Sequence, residues 1–160
     1  MKGKQLIVDG YNVLFSLLNY RQGRTLFIAT DHLLRDAGSL HGNIRNEPLF
    51  LECVNLLMEY LPGQMPASIE IFLDSPVSHS LKHARMISEL LVKHHLKGNC
   101  HVVRSADWAL KQFQDGIIAT SDTVIIEKTG IPVFDLPRNI LESLFNARFI
   151  DLNDIVNAEV

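Results

Sequence analysis

Aspartate recurs in this chain where short apolar runs give out: Leu6-Ile-Val-Asp9, Ile71-Phe-Leu-Asp74, Val102-Val-Arg-Ser-Ala-Asp107 and Ile117-Ile-Ala-Thr-Ser-Asp122. An apolar run that ends in Asp reads as a buried parallel strand with a carboxylate at its C-terminal tip. That rim is where open α/β sheets bind ligands. Carboxylates about 4 Å apart repel by roughly 4 kcal/mol per pair at an effective dielectric of about 20. A cluster of Asp9, Asp74, Asp107 and Asp122 therefore requires a cation or shared protons. Oxygen ligands without a matching cysteine or histidine set favour a hard ion, Mg²⁺ or Mn²⁺, over zinc. Taken singly, each aspartate is better explained as a helix N-cap or turn former. All four together, on neighbouring strands, are harder to explain that way.

Other residues extend this chemistry. Asn12, one turn into the first helix, has an amide that can orient water or phosphate without adding charge, or can serve as a buried polar bridge to the rim. Ser121 and Thr120 precede a helix whose N-terminus suits phosphate, although capping that helix is the better explanation for at least one of them. Arg35 and Arg45 are the candidates for phosphate contact, since an arginine fork matches phosphate geometry; the alternative is an internal salt bridge with Asp31 or Asp36. His79 and His83, four apart on one helix face, lack an HExxH context and read as a hydrated surface pair. Trp108 has the ring to stack on a base, but a core or dimer contact is the safer reading, and self-association into a homodimer stays open. No GxGxxG or GxxxxGK[ST] motif is present, which argues against dinucleotide and P-loop chemistry.

The elements that must position these groups follow from hydrophobic periodicity and punctuation. Strands are expected at 5–8, 68–73, 101–104, 116–120 and 132–134. The intervening helices should start near Tyr11, Pro48, Ser78, Trp108, Thr123 and Pro137. The second is expected to stop at Leu61-Pro62-Gly63. Residues 21–46 form an insertion, the least regular part of the chain, with a short apolar run at 25–29 and the glycine-punctuated stretch Gly38-Ser-Leu-His-Gly42; so long a connection is either an elaborated extra element or a functional loop. The acidic end from Asp151 packs on the domain or on a partner. Strands alternating with helices call for a mostly parallel sheet with right-handed crossovers, which puts all four acidic tips on one edge.

With 160 residues, 47 % of them hydrophobic and 21 % charged, the chain suits one well-packed domain. It has no signal-peptide core and no apolar stretch near the roughly 20 residues of a membrane span, so a soluble, cytoplasmic protein is expected. Cys53 and Cys100 show no CxxC spacing and read as reduced packing residues. The net charge of −3 argues superficially against nucleic acid, yet the charge is segregated. Residues 79–104 hold Lys82, Arg85, Lys93, Lys97 and Arg104 against Glu89 alone, and the acidic tail opposes them. Solvated helix faces explain most of these side chains equally well.

Val8-Asp9-Gly10-Tyr11-Asn12-Val13 resembles the opening signature of NYN-type domains in the PIN-like nuclease superfamily, including its YacP-like branch. Ala106-Asp107 before a short helix, and Ala119-Thr120-Ser121-Asp122 after a strand, resemble that superfamily's later motifs. Asp31-His-Leu-Leu-Arg-Asp-Ala-Gly38 and Ile44-Arg45 look more like a narrower family of uncharacterised archaeal and bacterial domains of this type. The resemblance implies a single Rossmann-like α/β domain, a three-layer α/β/α sandwich with a five-stranded sheet of order 3-2-1-4-5. It also implies a Mg²⁺- or Mn²⁺-dependent ribonuclease acting on RNA at the acidic rim. By motif, Asp9, Asp107 and Asp122 match the acidic metal positions, Asn12 matches the signature asparagine, and Asp74 matches the acidic end of the second strand. Many PIN nucleases add an acidic residue from a nearby helix. Here Glu52, Glu59 and Asp36 are candidates and none is a clear match, which leaves open a catalytically inactive RNA-binding or scaffold domain. An aspartyl-nucleophile phosphatase is disfavoured because Tyr11 occupies the second acidic position of its DxD motif.

Overall fold

Both faces of the central strands are apolar, and the alternation along each strand decides what packs where. In the computed structural model, which describes residues 1–37 and 44–158, four strands form a parallel sheet: β1 (Gln5–Asp9), β4 (Ser68–Asp74), β5 (Gly98–Val103) and β6 (Ile117–Ala119). Their order is β5-β4-β1-β6. Leu6 and Val8, Ile69, Ile71 and Leu73, and Ala119 join one buried cluster, while Ile7, Phe72 and Ile118 join the other. Successive side chains of a strand point to opposite faces, so a sheet covered on both sides needs apolar residues at every position. The first cluster is completed by α1 (Gly10–Arg21), α2 (Glu47–Gln64), α3 (Ser80–Lys93) and α6 (Leu136–Phe145). The second is completed by α4 (Ala106–Leu110), α5 (Thr123–Thr129) and Ile131.

A fifth strand in the sheet is not formed. Residues 132–134 touch β6 through a single parallel bridge, Ile118 with Val133, in which Ile118 N–H donates to Pro132 at 2.9 Å and Phe134 N–H donates to Ile118 at 2.8 Å. Pro132 has no N–H with which to lengthen that ladder. The expected stop of α2 at Pro62 is also passed: the helix runs to Gln64 and ends on Met65 in the left-handed region, φ 47°, whose N–H donates to the Pro62 carbonyl.

The insertion is an extra element, and its first strand falls on the apolar run at 25–29. Strands β2 (Leu26–Ile28) and β3 (Leu34–Asp36) pair antiparallel, and β7 (Ile150–Asp151) adds to β2 in parallel, making a second small sheet that α7 (Leu152–Ala158) follows. Asp135 anchors it: its carboxylate accepts the Leu34 N–H at 2.7 Å and caps α6 through the Arg138 N–H at 3.1 Å. The glycine-punctuated stretch 38–43 lies outside the described residues. Among those residues, no helix is long and apolar enough to cross a membrane.

Two glycines permit close approach at the sheet. A Cβ on Gly98 would lie 2.1 Å from the Ile69 carbonyl oxygen, and one on Gly10 would lie 2.9 Å from that of Phe72 and 2.5 Å from Leu73 Cδ2. Gly98→Ala must therefore push β5 off β4. The expected loss is about 2 kcal/mol or more of unfolding free energy, read as a lower urea midpoint. An unchanged midpoint contradicts the close approach.

Candidate functional site

Each carboxylate reaches the rim by a different local device. Asp9 ends β1 at the N-cap position of α1, yet makes no capping bond. Its Oδ2 instead accepts the Thr120 hydroxyl from the end of β6 at 2.9 Å, and only 5 % of the residue is exposed. Asp74 ends β4, and its Oδ1 accepts the Ala106 N–H at the start of α4 at 2.8 Å. Asp107 is the second residue of α4. Asp122 caps α5, its Oδ1 accepting from Val124 N–H at 2.7 Å and Ile125 N–H at 3.3 Å. Capping is therefore a real job for Asp122, and Asp74 holds a helix start in a similar way. Both use Oδ1, and a carboxylate has a second oxygen with its own lone pairs.

The four side chains come together around a single cleft of about 310 Å³, lined by Asp9, Asn12, Asp74, Asp107 and Asp122 with Tyr11, Phe15 and Val77 as an apolar wall. Electrostatics register the crowding. Burial, reinforced by repulsion from Asp74 and Asp107 and opposed by the Thr120 hydrogen bond, pushes the Asp9 carboxyl up to about 7. Asp107 is also raised, by burial first and then by repulsion from Asp122 and Asp74, with Lys111 opposing. Among the described residues, however, no three His, Cys, Asp or Glu side chains are gathered into a ready-made metal cage. The carboxylates that line the cleft offer oxygen donors alone, the ligand type that Mg²⁺ takes while keeping several of its own waters.

The neutral residues have defined places. Asn12 Oδ1 accepts both the N–H and the hydroxyl of Ser121, at 2.9 and 3.0 Å. The amide is thus the polar bridge between α1 and the rim. Ser121 is committed to that bridge, and it is Asp122, not Ser121 or Thr120, that caps α5. Thr120 sits between two acids, its hydroxyl donating to Asp9 and accepting the Asp122 N–H at 3.1 Å. Arg35 is paired with Asp31 and donates to Thr123 Oγ1 at 3.2 Å, just beyond the cleft. Arg45 is exposed ahead of α2 and does not line the cleft. None of the three helix-borne or insertion acids completes the set: Glu52 pairs with Arg21, Glu59 is exposed, and Asp36 accepts from Asn19.

Sequence reading missed two features. His83 is not a hydrated surface residue. It is wholly buried, Nδ1 lying 2.9 Å from the Tyr11 hydroxyl and Nε2 3.4 Å from Glu47, so a chain of polar groups runs from the surface to the ring that walls the cleft. Burial holds its imidazole below the usual range, with Glu47 opposing. Its place in the i, i+4 pattern of α3 with Ile87 and Leu91 was the available signal. Trp108, by contrast, is exposed rather than packed in the core.

Fold and site together define a mixed α/β protein with an acidic cleft at the C-terminal tips of a parallel sheet. The chain belongs to the family described as a domain of unknown function, DUF5616, whose model matches residues 1–139. It is 31 % identical over 144 residues to the uncharacterized protein MJ0935 of Methanocaldococcus jannaschii, an alignment covering 89 % of this chain and 68 % of the archaeal one. No solved structure matches it.

A buried acid titrating about 7 destabilises the fold once it is forced to ionise. The contribution of the protonated Asp9 is fully present below the ordinary value of 3.8 and is lost as pH rises through about 7. Asp9→Asn, which keeps the shape and stays neutral, is expected to raise stability at pH ~8 by about 2 kcal/mol and much less at pH ~4.5, measured by urea unfolding without divalent ions. Equal effects at the two pH values contradict the shift.

Proposed function

We propose that this protein is a Mg²⁺- or Mn²⁺-dependent ribonuclease of the PIN-like type, its sheet the centre of a three-layer α/β/α sandwich that keeps the order 3-2-1-4 of that architecture. The observation that carries the reading is the convergence of Asp9, Asp74, Asp107 and Asp122, delivered by four separate segments, on one cleft. Carboxylates that repel one another and are held away from water have a strong preference for a bound cation. A divalent ion in such a site neutralises phosphodiester charge and lowers the pKa of an attacking water.

The chain's own residues then divide the work. Asp9, fixed by Thr120, offers the most proton-hungry and therefore most cation-hungry oxygen. Asp107 and the unshared oxygens of Asp74 and Asp122 would help hold the ion or orient its waters. Asn12, its Oδ1 fixed by Ser121, keeps its Nδ2 donors for a phosphate oxygen or a water. The Tyr11, Phe15 and Val77 wall limits water on one side, which strengthens every charge interaction in the cleft.

A second reading is favoured by one observation, that among the described residues no fifth acid lines the cleft: a domain that binds RNA without cutting it. Purified protein incubated with fluorescent single-stranded and hairpin RNA separates the two. The nuclease reading expects cleavage that requires Mn²⁺ or Mg²⁺ and falls to background in Asp9→Asn/Asp122→Asn. RNA binding without cleavage in wild type supports the second reading. Asp122 adds a sharper contrast. Asn is as good a cap as Asp, whereas Ala loses about 1 kcal/mol of stability, so Asp122→Asn should be stable and inactive while Asp122→Ala is destabilised and inactive. Full activity in Asp122→Asn reduces that residue to a cap.

A further inference from the structure

The chain's single tryptophan, Trp108, stands on α4 directly after Asp107 with 67 % of its surface exposed. Large rings are normally buried in great part, and α4 has an apolar side that accepts Ala106, Ala109 and Leu110. The indole is not left over from a frayed helix end. Ala106 N–H donates to Asp74, Trp108 N–H donates to Ser105 Oγ at 3.2 Å, and Gln112 Nε2 donates to the Trp108 carbonyl at 3.0 Å. A short, tethered turn thus presents a flat apolar face to solvent. Beside it lies a concavity of about 720 Å³ lined by Val103, Arg104, Ser105 and Trp108. Arg104 is exposed there, and Lys111 lies close enough to favour the charged form of Asp107. Consecutive helical residues point about 100° apart, so Trp108 opens beside the acidic cleft while Asp107 faces into it.

We infer that Trp108 and Arg104 form a stacking platform for an unpaired nucleotide of the RNA strand whose neighbouring phosphodiester enters the acidic cleft, an inference that rests on RNA being the cleft's ligand. Every base has a face that stacks on an aromatic ring, and the guanidinium fork of Arg104 matches the phosphate on either side of that base. A cleft of four carboxylates repels a polyanion, so a cation next to the ring supplies the attraction that the cleft lacks. A base can reach the indole only when it is unpaired and splayed from its neighbours, which makes single strands and loops the preferred substrates. A second copy of this chain is a poorer occupant. In a twofold contact the same patch is used on both copies, so the cations Arg104 and Lys111 are brought into one interface twice over.

Because Trp108 is the only tryptophan, its emission reports this surface alone. The Asp9→Asn/Asp122→Asn protein, which leaves the strand uncut, is titrated in Mg²⁺ with a short unstructured oligoribonucleotide and with an abasic ribose-phosphate chain of equal length, while the anisotropy of a labelled oligonucleotide reports binding. The expected result is saturable quenching by the oligonucleotide, with the abasic chain bound about 5- to 150-fold more weakly and without quenching. Trp108→Ala should weaken binding by a similar factor, and Trp108→Phe should restore most of it. Binding with unchanged emission, or with full affinity in Trp108→Ala, overturns the platform and leaves the RNA reading of the cleft standing. Emission already shifted to the blue without RNA, and dependent on protein concentration, overturns it in favour of a dimer contact. Quenching by an RNA that wild type never cuts keeps the platform and removes the nuclease reading, and no binding at all removes both.

Discussion

The structure depends on an acid placed where an acid is costly. Asp9 ends the central strand of the sheet, almost without solvent contact, with Asp74 and Asp107 adding their charge. A cap position usually explains an aspartate between a strand and a helix, but this side chain makes no cap bond there: it accepts the hydroxyl of Thr120, just past the end of β6. Natural folds commonly give up some stability at functional sites and make it up elsewhere. The packing that tolerates this loss is visible, since apolar residues cover both faces of β1 and are fully buried.

Around Asp9 the remaining polar residues act as tethers. Thr120 and the Asn12–Ser121 pair tie the turn after β6 to the turn after β1. Asp74 ties the turn after β4 to α4. Together they link three strand ends around the cleft. Asp122 serves at once as a cap through Oδ1 and as part of the cleft wall, since a carboxylate has a second oxygen that the cap does not use.

Strand ends were legible in the sequence because each apolar run is short, stops at an acid, and sits between helical patterns. The parallel arrangement then follows from chain economy, and one shared rim follows from that. The small sheet was not legible: β2, β3 and β7 span three, three and two residues, too few to show alternation. Nor was the fate of the fifth segment, which depends on Pro132. His83 was misread because four-residue spacing from His79 suggested a shared exposed face. The residue is instead claimed by Tyr11, 72 positions away, a partner that no local pattern reveals. Of the two contacts expected for Trp108, core or dimer, its exposure removes the first.

The central claim is that repulsion and desolvation hold Asp9 ready for a cation. Carboxyl-carbon NMR of selectively labelled aspartate, assigned through Asp9→Asn and followed across pH with and without Mg²⁺, tests it most directly. The account predicts an Asp9 titration near 7 without the ion, moving to markedly lower pH when Mg²⁺ is added. A titration near the ordinary value of 3.8, indifferent to Mg²⁺, would contradict it and leave the cleft an acidic surface held together by its caps.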